Sequence, residues 1–132
     1  MIRRSLFTAL LLTLPLGAAL AHDVKLEASE WGFVGDDGPK ARFVSFAGEG
    51  RIFGFGGCNR FSGEYLQSGS KLMIKPLAAT QMACEEPAMK KEQEFFDLLG
   101  KVTQVHVDHT MLMLLDAGGT QLTTLMRRGG EE

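Results

Sequence analysis

Residues 51–66, RIFGFGGCNRFSGEYL, hold two short extended runs joined by a glycine-rich corner. In the first run Ile52, Gly54 and Gly56 alternate with Arg51, Phe53 and Phe55. A period of two is the signature of a strand, with successive side chains on opposite faces. The alternation predicts one bulky face, carrying the phenylalanines, and one nearly bare face. Glycine inside a strand marks a bend, a bulge or a close backbone approach, so a sharply curved sheet is expected here. Phe61 to Leu66 then reads as the next strand.

Outward from this corner, glycine punctuates the whole chain. Trp31, Phe33 and Val34 form a first strand that ends at Gly35-Asp36-Asp37-Gly38-Pro39. Ala41 to Phe46 follows, with Phe43 and Val44 toward the core, and Gly48-Glu49-Gly50 turns it into Arg51. Leu72 to Pro76 is a further strand after the turn Gln67-Ser68-Gly69-Ser70. Near the C-terminus, Val102, Val105 and Val107 lead to a tight hairpin at Asp108-His109-Thr110, and Met111 to Leu115 returns. Asp116-Ala117-Gly118-Gly119 turns again, Leu122 to Met126 completes the sheet, and Arg127 to Glu132 reads as a frayed polar tail. Short strands between turn signals indicate a mostly β domain.

The period changes once. Pro87 to Leu99 is the one clear helix, with Pro87 in the first turn and Gly100 just past the end. Met89, Phe95, Phe96 and Leu99 supply an apolar face, while Lys90, Lys91, Glu94 and Asp97 point outward. Glu85-Glu86 and the pair Glu92 and Glu94 read as helix-start and helix-surface charges. The expected fold is therefore α+β, mostly β: a single compact domain with a strongly curved, barrel-like antiparallel sheet packed on one helix.

Residues 1–21 have a different character. Arg3 and Arg4 precede an apolar run from Leu6 to Leu16, and Ala19-Leu20-Ala21 has the small-x-small form of a cleavage site. The run is short of the roughly 20 residues that span a bilayer. These features predict a cleaved signal peptide over 1–21 and a mature domain over 22–132, with a core of about 29–127. Losing Arg3 and Arg4 leaves twelve basic against sixteen acidic residues, a charge of −4. That unpatterned acidic surface argues against nucleic acid, which needs concentrated lysine and arginine. His22 and not a cysteine stands directly after Ala21, so a soluble protein without a stable membrane anchor is expected rather than a lipoprotein, periplasmic or secreted.

Two cysteines, Cys58 and Cys84, most simply form one disulfide in an exported domain. Closing a loop of this size stabilises by about 3 kcal/mol. Two buried thiols, or a nucleophilic Cys58 with His106 as its base, are the alternatives, and no local signature supports catalysis. No carboxylate pair is set for acid–base work, and Gly54-Phe55-Gly56-Gly57 lacks the lysine of a phosphate loop. The sequence thus indicates no enzyme, no cofactor and no dedicated metal site. One remote metal reading is copper on the amine and imidazole of a mature N-terminal His22, with His106 or His109 as a further ligand. Met111 and Met113 could also serve copper, but their alternation fits a strand facing the core equally well. Finally, Phe53, Phe55, Phe61, Phe95 and Phe96 could line an apolar cavity at the mouth of a small curved sheet.

The segment Gly56-Gly57-Cys58-Asn59-Arg60-Phe61-Ser62-Gly63-Glu64-Tyr65, followed by Leu72-Met73-Ile74 and by Leu77-Ala78-Ala79-Thr80-Gln81-Met82-Ala83-Cys84, resembles the META domain (HslJ-like, heat-inducible) family. Trp31 before the motif, Phe95-Phe96 after it and the apolar run Met111 to Leu115 agree in outline, so the resemblance covers roughly residues 29 to 127. It implies a compact curved sheet closed by one helix, and an envelope or secreted setting. Family members are associated with heat-shock expression and drug tolerance, and with secretion or motility elsewhere. No catalytic residues are established for the family, so none carry over. Gly57, Cys58, Asn59, Phe61, Gly63, Tyr65, Thr80 and Cys84 match the motif and are read as structural. Asn59 is expected to take a left-handed backbone and bond its own turn, Gly63 to allow a bend, and Thr80 to brace the approach to Cys84. Many bacterial members are lipoproteins, from which this chain departs. The function expected is a non-enzymatic periplasmic protein of envelope stress response or maintenance, acting as a small protein-binding module. The alternative is a carrier of a lipid or other apolar molecule.

Overall fold

The computed structural model describes residues 24–129. The expected signal peptide and His22 lie outside the described residues. Nine strands and one helix follow in the order β1 (Ser29–Phe33), β2 (Phe43–Phe46), β3 (Arg51–Phe55), β4 (Arg60–Ser68), β5 (Lys71–Ile74), β6 (Ala78–Ala79), α1 (Glu86–Lys101), β7 (Gln104–Asp108), β8 (Met111–Leu115) and β9 (Gln121–Arg128). All pairings are antiparallel, in the order β3-β2-β1-β9-β8-β7-β5-β4-β6. Because β3 also pairs with β4, eight strands close into a ring, and β6 adds to the other edge of β4. The curved, barrel-like sheet read from the glycine pattern is what the chain forms.

Closure fills the ring with side chains from every strand. Trp31, Phe46, Leu112, Leu114 and Leu125 are fully buried, and Leu26 enters the core ahead of β1. The helix lies where β1 and β3 end and β4 begins. Its Phe95 meets Phe33 and Phe61 edge-on at centroid distances of 5.0 and 5.7 Å. Edge-to-face rings gain about 1 kcal/mol beyond their burial.

On strand β3 the bare face is the inner one. Ile52 and Gly54 face inward, and Arg51 and Phe53 face solvent. The reason is steric. Gly54 pairs with Phe61, and a Cβ at Gly54 would lie 2.6 Å from the Phe61 ring. The bare face is bare because the Phe43 carbonyl oxygen and the Phe61 ring both crowd it. On β2, Val44 and Phe46 point inward, while Phe43 lies half-buried under Arg128.

Other boundaries also moved. The helix runs on through Gly100 to Lys101 and is capped by Val102, so Gly100 is helical rather than terminal. Arg127 and Arg128 belong to β9, opposite Trp31 and Glu30, rather than to a frayed tail. The two-residue β6 had no sequence signal. Met111 and Met113 face outward, because Leu112 and Leu114 take the core side of β8.

Gly54 and Gly100 give opposite expectations. Gly54→Ala should destabilise by about 1–3 kcal/mol, the range for overpacking a filled core. Gly100→Ala, with nothing within 4 Å of the added carbon, should stabilise by up to about 1 kcal/mol. Urea denaturation midpoints of the two variants check both signs.

Candidate functional site

The corner after β3 is a turn closed by a bond from Gly56 N to Asn59 O at 2.9 Å. Gly57 takes φ +114°, a left-handed conformation suited to glycine. Asn59 does not, contrary to expectation, and its side chain reaches away from its own turn. The Asn59 amide donates to Glu92 Oε2 at 2.8 Å and to Met82 O at 3.2 Å. Its carbonyl accepts from Met82 N at 2.7 Å and from Thr80 Oγ1 at 2.9 Å. All four hydrogen-bonding positions of this buried amide are filled. Against Met82 it acts as a piece of peptide backbone, meeting both the N–H and the C=O of one residue.

Glu92 completes the arrangement and corrects the surface role expected of it. The side chain is 5% exposed, on the helix face that packs on the corner. Its Oε1 accepts from Asn59 N at 2.5 Å and from Cys58 N at 3.2 Å. Gly56 leaves the space, since a Cβ there would lie 2.6 Å from that oxygen. A buried carboxylate without partners is costly, and here three N–H groups offset its loss of water. The sequence signal that could have found it is weak: an acid one turn before Phe95 and Phe96 on the helix.

Cys58 and Cys84 form a disulfide with Cα atoms 6.0 Å apart. It joins the corner to the segment before the helix, the same two segments that Asn59 joins through Met82. Thr80 braces that segment, since its hydroxyl also accepts from Arg60 N at 3.2 Å and its own N–H donates to Arg60 O at 3.0 Å. Gly63 lies within β4, opposite Ile52, rather than at its start, and it admits the Leu77 side chain. Tyr65 is buried, meets Phe46 edge-on and donates to Ala47 O at 2.9 Å; burial raises its pKa above the usual value of 10.0.

Beside the corner, Arg42 forms a two-pronged pair with Asp36, Nε to Oδ2 at 2.7 Å and Nη2 to Oδ1 at 3.0 Å, and stacks 3.8 Å over the Phe33 ring. The hydrogen bond from the Arg42 side chain lowers the pKa of Asp36 below 3.8.

The five phenylalanines expected around a cavity do not share one space. Phe61, Phe95 and Phe96 pack on one another, with Phe61 5.5 Å from Phe96, and Phe55 is half-buried at the end of β3. Phe53 is 45% exposed and borders a surface groove with Phe43 and Phe61. Cys58, paired to Cys84, has no thiol to act as nucleophile. His106 stands outward on β7, and His109 occupies the hairpin turn at φ +53°. Among the described residues no group of three or more His, Cys, Asp and Glu is placed to hold a metal ion. A groove of about 670 Å³ lies at the seam of β5 and β7 and is lined mainly by apolar residues, among them Leu66, Leu72, Met73, Ile74 and Val102.

A family model described as META domain matches residues 24–129. The chain is similar to a solved protein from Burkholderia xenovorans, at 20% identity and TM-score 0.65, covering 78% of this chain and 83% of that one; this likeness is one of fold. A second solved structure is 28% identical with TM-score 0.55, covering 76% of this chain and 90% of the other. No curated protein matches.

Two measurements follow from this geometry. Asn59→Asp keeps the shape but sets an oxygen against both Glu92 and Met82 O, and should destabilise by about 3 kcal/mol or more in urea titrations. The oxidised protein should also show no thiol reactive to alkylation before reduction. Separately, the Asp36 carboxyl titrates lower in the folded chain than in the unfolded one. Its stabilisation is complete above the unfolded value of 3.8 and disappears as pH falls through the lower folded value. Asp36→Asn should remove that part of the acid dependence of Tm, and an unchanged acid limb would refute it.

Proposed function

The chain belongs to the META domain family, and we propose that it works as a non-enzymatic binding module of the bacterial envelope, exported by its N-terminal segment and serving stress response or maintenance. The META domain is not a known enzyme family. The export reading rests on the positive, apolar and small-residue pattern of residues 1–21 and agrees with the disulfide. The stress role rests on the associations of the family.

One observation carries the binding reading. Strand β5 pairs with β7 only at Lys71 and Gln104, with flanking bonds from Leu72 N to Thr103 O and from Val105 N to Ser70 O. Beyond that point the side of Met73 and Ile74 turned away from β4 has no strand partner among the described residues. Everywhere else the ring is paired more extensively. Beside this open edge Leu66 and Met73 are 56% and 60% exposed, at the apolar groove. An unpaired edge next to an apolar groove suits an extended segment of another envelope protein, which would add as a short strand and seat alternate side chains in the groove. Carriage of a lipid or other apolar molecule is the second reading, and it would use this groove rather than a phenylalanine-lined interior.

A photo-reactive side chain at position 73, in protein exported to a periplasm, should give one discrete protein conjugate. Leu66→Lys should abolish it, and the same group at Lys90 on the helix should not form it. Equal conjugates from position 90, or indifference to Leu66→Lys, would sink the proposal. A lipid-sized adduct in the native mass spectrum, lost in Leu66→Lys, would transfer the groove to carriage.

A further inference from the structure

The outer face of the β7–β8–β9 strip carries a set of soft ligands that the fold does not need. Side chains on β8 alternate strictly: Leu112 and Leu114 are fully buried, and Met111 and Met113 face out, half-buried. His106 is exposed on β7 directly opposite Met113, and Met126, 41% exposed on β9, is directly opposite Met111. The pairs Val105–Leu114, Val107–Leu112 and Leu112–Leu125 turn the other way, into the core. One imidazole and three thioethers therefore share one face of three adjacent strands.

We propose that His106, Met111 and Met113 form a binding site for a monovalent soft metal ion, Cu(I), with Met126 within reach as a fourth ligand. Directly opposed residues hold their Cβ atoms about 4.5–5.5 Å apart, and diagonal neighbours about 7–8 Å. Residues two apart on a strand are separated by about 6.8 Å. Methionine is unbranched and flexible, so two thioethers and an imidazole at these spacings can converge on one ion above the sheet. Thioether sulfur selects Cu(I), and imidazole also binds copper, whereas magnesium and calcium prefer oxygen. The nearest carboxylate, Asp108 opposite Met111, is 69% exposed and lies 3.6 Å from His109. The thiols are locked together as Cys58–Cys84, so thioethers are the sulfur ligands left to this chain. The site is built on two paired strands of a closed ring, which holds the ligand positions before the ion arrives. It is independent of the seam at β5 and of any chelate at His22.

The test uses the mature, disulfide-bonded protein under anaerobic conditions, titrated with Cu(I) against a coloured Cu(I) chelator. One equivalent should be withdrawn from the chelator, and X-ray absorption should show sulfur and nitrogen neighbours. Met111→Leu and Met113→Leu keep side-chain volume and should each weaken binding roughly tenfold or more, the scale of losing a metal-site partner. His106→Gln should remove the nitrogen neighbour, and His22→Gln should change neither affinity nor spectrum. Silver(I), a redox-inert soft probe, should shift the methyl resonances of Met111 and Met113 in unsubstituted protein, which needs no variant to fold. No competition with the chelator, an affinity unchanged from that of the unsubstituted protein in both leucine variants, or loss of binding in His22→Gln alone would each overturn the assignment.

Discussion

The carboxylate of Glu92 holds the helix against the sheet, and much of the domain's order depends on that contact. It stands on α1 and takes three N–H groups from the corner between β3 and β4. Two are main-chain groups of that turn, and the third belongs to the side chain of Asn59, which pins the strand-poor segment at Met82. A single acid thus fixes three pieces of chain that are far apart in sequence. The disulfide spans two of the same three pieces. The two devices are complementary: the covalent link limits how far the corner and the helix approach can separate, and the hydrogen bonds set their orientation.

From this follows the shape of the sheet. With the corner fixed, β3 and β4 must run side by side, and their pairing closes the ring. Closure removes most of the edges that otherwise invite association. The helix must then be accommodated at the opening, which it fills with Phe95 and Leu99, both 1% exposed. Glycines at 54 and 56 are the concession the strand makes, one to the Phe61 ring and one to Glu92. The weak point is left where β5 and β7 meet over a single register pair. A ring completed at seven joints and barely closed at the eighth concentrates accessible backbone in one place.

Much of this was legible in the sequence. Glycine and aspartate turns between alternating runs marked eight of the nine strands, the helical period of Pro87 to Leu99 marked the helix, and two cysteines behind a signal-like segment pointed to their pairing. What could not be read has a common cause. The alternation of β3 separated a bulky from a bare face without saying which one turns inward, and only the partner strand reveals that Phe61 occupies the bare side. Glu92 sits between lysines and acids that are exposed, and its partners are main-chain groups 33 and 34 residues earlier. Local pattern carries no signal for such a contact. Asn59 was recognised as a motif residue, but its role was assigned to its own turn because turn chemistry is local and its real partners are not.

The outward methionines of β8 show how a strand can be over-determined on one face and free on the other. Leu112 and Leu114 are fixed by the core, and truncating either leaves a cavity. Positions 111 and 113 meet no such demand, and their neighbour Thr124 shows that a β-branched polar residue is tolerated on the same surface. Sequence alternation alone could not distinguish the two faces, since MLMLL is apolar throughout. The register resolves the ambiguity, placing thioether opposite imidazole on one side and leucine opposite valine on the other. An apolar face without a core to fill is explained either by a surface that covers it or by a ligand that prefers sulfur. The single imidazole at its border favours the second, because a covering surface would gain nothing from a ring nitrogen there, while a soft ion would.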